Sequence, residues 1–187
     1  MTKTKLNKIL DDHKKWLEDR SGNRAVLCGV DLSGVDLRDE DLCSADLRGA
    51  NLSGADLRGA NLFDADLFGT DLRDAKLGSA NLRGADLRGA NLHGANLHNT
   101  DLSIADLSGA NLSNIDLCST DLRGANLHGA NLYGVGLRKA KLRKADLRDT
   151  DLRFSDLRGA DLHDADLSGA DFYGALLHGE NRWYGWL

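Results

Sequence analysis

The sequence predicts an all-β chain, a β-helix wound from short repeats and preceded by an N-terminal α-helical cap. Three observations predict it. From Ala25 to Gly179 the chain reads in phase as 31 consecutive five-residue units with no insertion. The third residue of each unit is Leu at 30 of the 31 positions, Phe172 being the exception, and the first is Ala in 21. The fifth is Gly in 17 units and Asn or Asp in seven.

A period of five matches neither the 3.6 of an α-helix nor the 2 of a free strand, so the chain has to turn once per unit to bury both apolar positions. Within a unit the first and third residues lie two apart, which in extended backbone puts both on one side and turns the second and fourth outward. The fifth residue makes the corner, where Gly, Asn and Asp best tolerate the turn. Proline is absent. Each flat side can use its amides to bond to the coils above and below, and a proline would remove one such donor. With only four Phe, three Trp and three Tyr in 187 residues, the core has to be built from Leu and Ala.

The commonest unit, Ala-Asp-Leu-Arg-Gly, resembles the motif of the pentapeptide-repeat family: a small residue, Asp or Asn, Leu, then two variable positions. The resemblance implies a right-handed quadrilateral (four-sided) β-helix with four pentads, or 20 residues, per coil, hence about 7.75 coils over residues 25–179. Five-fold phasing alone leaves the number of sides open. One internal hint supports four: every first residue at a 20-residue lag from Ala25 through Ala165 is Ala, so all ten departures from Ala fall on the other three sides. At the ~4.8 Å spacing of paired strands the rod is roughly 37 Å long. Each buried Leu stabilises by about 1.5 to 3 kcal/mol, so stability is a sum of nearest-neighbour terms.

A stacked rod exposes an apolar cross-section at each end unless it is covered. Residues 1–24 form the expected N-terminal cap: Leu6, Ile9, Leu10, His13, Trp16 and Leu17 fall at helical spacing over a helix expected at 4–20, and Gly22 closes it. The run from His13 to Leu17 resembles the leader of many family members. A membrane-surface helix is disfavoured because four acids dilute its basic residues. Glu40 is the one charged residue at an inward position, and an unpaired buried carboxylate is costly. It is expected either to pair with Arg20, Arg24 or His13, or to turn outward on a local bulge. Residues 180–187 form the expected C-terminal cap, with Trp183, Tyr184, Trp186 and Leu187 folding over Phe172 and Leu177. The alternative is an end-to-end homodimer through the same aromatics, as in topoisomerase-binding members of the family.

No catalytic, cofactor or metal site is expected. The outward carboxylates form ladders on a convex surface that offers no cleft. His93, His98, His128, His163 and His178 all sit at the outward fourth position, and no two share a side at one-coil lag. Cys28, Cys43 and Cys118 are separated by 15, 75 and 90 residues, never one coil, so neither a disulfide framework nor a zinc site is expected. Gly134 and Gly136 make a lone fragment of a glycine-rich loop, read as repeat drift. No stretch approaches the roughly 20 apolar residues that span a bilayer, and charge interrupts Leu6 to Leu17, so no membrane partner or signal segment is expected and the default location is cytoplasmic.

Two surface features stand above the background. Asp46, Asp66, Asp86 and Asp106 stack as a like-charge stripe interrupted by Arg48 and Arg88. Arg138, Lys139, Lys141, Arg143, Lys144 and Arg148 form a basic run that reaches Arg123 and Arg158 on adjacent coils. Lys141 falls between Asp121 and Asp161, where relief of stacked carboxylate repulsion is the simpler role. The expected function is a non-enzymatic interaction scaffold that binds another protein, as monomer or end-to-end dimer. The alternative is mimicry of duplex DNA, since the family includes members that bind DNA gyrase and confer fluoroquinolone resistance or toxin immunity. Roughly 37 Å of B-DNA would carry about 22 negative charges. The array's 16 basic and 24 acidic residues leave it at only −8, so mimicry is disfavoured. Direct nucleic-acid binding is disfavoured further, because the basic run lacks interleaved aromatics.

Overall fold

The computed structural model describes residues 1–177. Helix α1 spans Lys3–Glu18, and Thr2 caps it, its hydroxyl accepting the Lys5 N–H at 3.4 Å. Leu6 and His13, seven residues apart on one face, are the two fully buried side chains of α1, and Ile9 and Leu10 pack beside them against the rod. The helix ends two residues before the expected boundary. Arg20, not Gly22, supplies the left-handed residue after it, with φ +67°, and its guanidinium lies 4.3 Å over the Trp16 ring. Gly22 has a different role: any Cβ there would overlap the Asp12 carbonyl, so glycine is required for the chain to pass against the helix.

From Ala25 onward the flat sides are joined to the next coil, with one gap on the third side, by parallel bridges between residues 20 apart, from Val26 with Asp46 to Asp156 with Leu176. One turn therefore takes four pentads. We call the sides first to fourth, beginning with the pentads at Ala25, Val30, Val35 and Glu40. The pattern is the same on every side. Leu27 N–H donates to Asp46 O at 2.7 Å, Asp46 N–H to Ala25 O at 2.9 Å and Gly29 N–H to Arg48 O at 2.8 Å, while Val30 N–H closes the corner on Leu27 O at 3.1 Å. The central Leu residues from Leu27 to Leu157 are at most 1% exposed, so they form one continuous core.

The corner residues adopt positive φ whether or not their side chains favour it. Ser44, Ser79, Ile104, Ser119, Lys139, Lys144 and Phe154 hold φ between +53° and +61°. A lone β-branched or aromatic residue disfavours this region by roughly 1–2 kcal/mol. Bridges above and below leave the chain no other way round the corner. At five of the Asp or Asn corners the side-chain Oδ1 lies over a glycine one coil on: Asp39 over Gly59, Asp64 over Gly84, Asp74 over Gly94, Asn114 over Gly134 and Asp149 over Gly169. A Cβ at any of these glycines would overlap that oxygen.

One side opens. Among the described residues, the third-side bridge between Asn96 and Asp116 is missing, although those below it (Lys76 with Asn96) and above it (Asp116 with Gly136) are formed. Ile115 occupies the inward first position there, between Ala95 and Val135, and both Ile115 and Ala95 are 5% exposed. A wedge of about 380 Å3 lies between the coils, lined by Asn96, His98, Asn114, Ile115 and Asp116. Nearby, the buried Thr120 hydroxyl has no hydrogen-bond partner, whereas Thr70 and Thr100 donate to Leu47 O and Leu77 O, 23 residues back.

Both expectations for Glu40 need correcting. Its backbone stays in register, with Glu40 N–H on Leu37 O and Asn61 N–H on Glu40 O, so there is no bulge. None of the three expected cations pairs with it. Arg20 covers Trp16, Arg24 lies 3.9 Å from Asp46, and His13 Nδ1 accepts the Ala25 N–H at 3.0 Å. Glu40 is instead half-buried beneath α1, where desolvation and the nearby Asp11 and Asp36 push its carboxyl up, and Lys14 only partly opposes them.

Candidate interaction surface

The repeat carries its own ion pair. The carboxylate at the second position accepts the N–H of the fourth residue, and where that residue is Arg the guanidinium folds back onto the same carboxylate. In the pentad of Asp46 and Arg48, Arg48 N–H lies 3.2 Å and Nε 2.9 Å from Oδ1, with Nη2 2.6 Å from Oδ2. Arg38, Arg58, Arg73, Arg88, Arg123, Arg148, Arg153 and Arg158 do the same with the Asp two residues before each. Each of these carboxyls is held below the usual range, first by its guanidinium. Most of the pairs are solvated and contribute little stability individually. Their effect is to cancel charge locally.

The same pairing runs through the stacked Asp stripe. Asp46, Asp66, Asp86 and Asp106 do stack in consecutive bridges. Yet Asp46 is held by Arg48 and Arg24, Asp66 lies 3.4 Å from Arg48 Nε, and Asp86 is clamped by Arg88. Asp106 accepts the Ser108 hydroxyl and the Asn126 amide. The stripe is a ladder in which Asp46, Asp66 and Asp86 are neutralised in part by three arginines, while Asp106 keeps its charge and is held by neutral donors.

The basic run separates into two groups. Arg123, Arg148 and Arg158 are clamped within their pentads, and Lys141 Nζ lies 3.6 Å from Asp121. For Arg138 the second position of the pentad is Gly136, and for Arg143 it is Lys141, so neither has an internal carboxylate. Lys139 and Lys144 project from the two following corners. Among the described residues, no ion pair within 4 Å involves Arg138, Lys139, Arg143 or Lys144. These four cations follow one coil around the third and fourth sides.

Several features escaped the sequence reading. His98 and Cys118 are 20 residues apart on the third side, a mixed pair that comparing histidines with histidines and cysteines with cysteines could not reveal. The Asp116 carboxyl between them is lowered, first by Cys118, and burial pushes the Cys118 thiol up. Among the described residues no group of three His, Cys, Asp or Glu side chains could hold a metal. Clefts do exist, contrary to the convex rod expected: besides the wedge, a crevice of about 470 Å3 separates α1 from the first coil, lined by Leu10, Asp11, Lys14, Asp39, Glu40 and Asp41 among others. Aromatic residues also gather at the outward corner between the second and third sides, where Tyr133, Phe154 and Tyr173 stack over three coils. Trp183, Tyr184, Trp186 and Leu187 lie outside the described residues, as does His178.

The family model for pentapeptide repeats matches residues 25–64, 65–103, 105–138 and 140–179. The chain belongs to the pentapeptide-repeat family. Among solved pentapeptide-repeat structures, QnrB1, a plasmid-mediated fluoroquinolone resistance protein, is 24% identical over 83% of this chain and 87% of that one, with a TM-score of 0.61, a likeness of fold. HetL, a pentapeptide repeat protein involved in heterocyst differentiation regulation from the cyanobacterium Nostoc, is 32% identical over 88% of this chain and 90% of that one, with a TM-score of 0.31. A pentapeptide repeat protein from the Arabidopsis thaliana thylakoid lumen is 34% identical over 65% of this chain and 70% of that one, with a TM-score of 0.42. No curated protein sequence matches the chain. The matched family is one of structural repeats, not of catalysts, and no helix among the described residues is long and apolar enough to cross a membrane.

Proposed function

We propose that this pentapeptide-repeat protein is a non-enzymatic scaffold that binds another protein through the coil containing residues 136–144. One observation carries the reading. Most arginines of the array are cancelled by a carboxylate two residues away, whereas Arg138, Lys139, Arg143 and Lys144 sit together without one. Arg138 also feels Asp116 and Asp156 on the neighbouring coils, but among the described residues none of the four is held in a close pair. Four adjacent unclamped cations on a stiff surface give a partner both steering and register. Affinity capture from the native host, with Arg138→Gln/Arg143→Gln beside the wild-type chain, tests it. A specific partner lost in the double variant is expected, and equal recovery by both would remove the assignment.

Mimicry of duplex DNA is the weaker reading, because Arg24, Arg48 and Arg88 neutralise much of the stacked Asp stripe. A gyrase supercoiling assay separates the two. Inhibition or protection at micromolar concentration would restore mimicry.

A further inference from the structure

Tyr133, Phe154 and Tyr173 form a ridge along the corner between the second and third sides. Ring centroids are 5.5 Å apart for Tyr133 and Phe154 and 5.6 Å for Phe154 and Tyr173, with interplanar angles of 63° and 88°. The three residues are 37%, 52% and 72% exposed in that order, so aromatic surface reaches solvent across three consecutive coils. Phe154 is the unexpected member. It takes the corner position at φ +58°, between Gly134 and Gly174 at +65° and +72° on the coils below and above. A glycine there would be conformationally easier, so the ring is kept against a local backbone preference while half of it faces water. Ile104, also apolar at a positive-φ corner and 55% exposed, sits instead beside Gly84 and Gly124.

The ridge meets the unclamped cations on one coil. Tyr133 and Arg138 flank Gly136, which has no side chain of its own and is bordered by the Asp116 carboxylate and the Cys118 thiol of the coil below. From there the cations continue through Lys139, Arg143 and Lys144. Exposed aromatics beside arginine are the side chains that most often anchor protein interfaces, and the uncancelled charge here is positive.

We propose that the Tyr133–Phe154–Tyr173 ridge and the Arg138–Lys144 strip form one docking surface for an acidic protein segment that carries an apolar side chain. The apolar group lies against Phe154, and the flanking carboxylates reach Arg138 and Arg143. This rests on the scaffold reading above and adds the chemistry of the partner. A single-stranded nucleic acid would need open ring faces on which to stack bases. Here the rings meet edge to face, and the Arg153 guanidinium lies 5.7 Å over Tyr133, so they do not present a row of parallel open faces.

The test screens the full chain against a displayed library of random-sequence peptides and measures the selected peptides by fluorescence anisotropy. Enrichment of sequences joining Asp or Glu to a large apolar residue is expected. Phe154→Gly should weaken their binding at least about tenfold without loss of thermal stability, because glycine suits that corner. Gly136→Asp should recapture Arg138 in the same clamp used elsewhere in the array, weakening binding several-fold and flattening its salt dependence. Ile104→Gly should change nothing. Selected peptides without acidic residues, or unaffected by both Phe154→Gly and Gly136→Asp, would overturn this surface while leaving a scaffold with another contact face. Oligo-dT binding abolished by Phe154→Gly would also overturn it, in favour of nucleic acid. If no peptide is selected and no host protein is captured, both readings fall.

Discussion

The first and third sides of the rod each hold eight pentads, and only one of them is continuous. On the first side every inward first residue is Ala, and bridges run unbroken from Val26 to Asp166. On the third side Val35, Ile115, Val135 and Ser155 interrupt the alanines, and the ladder opens at Ile115. Overpacking a close-packed site costs about 1–3 kcal/mol. The net value of an interstrand hydrogen bond is roughly 1 kcal/mol, so relieving one crowded side chain can offset the loss of a few of them. The bridge is lost on that side alone because the stacked leucines of the other three sides hold the coils together. Regularity in this fold is thus a consequence of small residues, and irregularity can be placed by a single large one.

The largest effect that bears on this comparison is removal of the common core. Leu107→Ala, on the first side, should lower unfolding free energy by about 2–5 kcal/mol in urea titration. A loss under about 1 kcal/mol would mean that the stacked leucines are not what holds the coils. Next, Ala105→Ile should reproduce the opening on the intact side, destabilising by about 1–3 kcal/mol and speeding exchange of the Leu87 and Asp106 amides. If those amides remain protected, inward bulk is not the cause of the break.

A smaller, pH-dependent change is expected where α1 meets the start of the first side. His13 holds the Ala25 N–H, and burial lowers its pKa below the ordinary 6.5 despite Asp41 and the Cys43 backbone, which favour the protonated ring without giving Nε2 a hydrogen bond of normal geometry. The unfolded chain therefore binds a proton below about pH 6.5 that the folded one refuses, so this contribution is complete above that pH and is lost as pH falls. His13 stacks on Trp16 at 5.5 Å, so indole fluorescence should report α1 loosening on titration from pH 7.5 towards 5.5. A signal equally pH-dependent in His13→Gln would assign the change elsewhere. The smallest effect is local: Ile115→Ala should close the third side, slowing exchange at Leu97, Asn99 and Asp116 with little change in global stability. Unchanged exchange there would point to a cause other than Ile115.

Most of the fold was legible because inward and outward positions follow from a count of five. The 20-residue turn was also written at the corners, in the pairing of Asp39, Asp64, Asp74, Asn114 and Asp149 with a glycine 20 residues on, a signal that reading pentads one at a time does not register. The candidate surface was half legible. Arg138 and Lys144 stand out as a charge run, but their release from pairing is visible only when the second position is read together with the fourth. The aromatic ridge was hidden because Tyr133, Phe154 and Tyr173 occupy different pentad positions, fourth, fifth and fourth, which converge only at a corner.

By itself the sequence determined which residues face the axis and where the chain turns, because both depend on local backbone geometry repeated without insertion. Tertiary structure alone decided which charges cancel, how Glu40 is housed under α1 and where the ladder parts. Those outcomes depend on distances between coils, and such distances exist only once residues 20 apart have been brought into register.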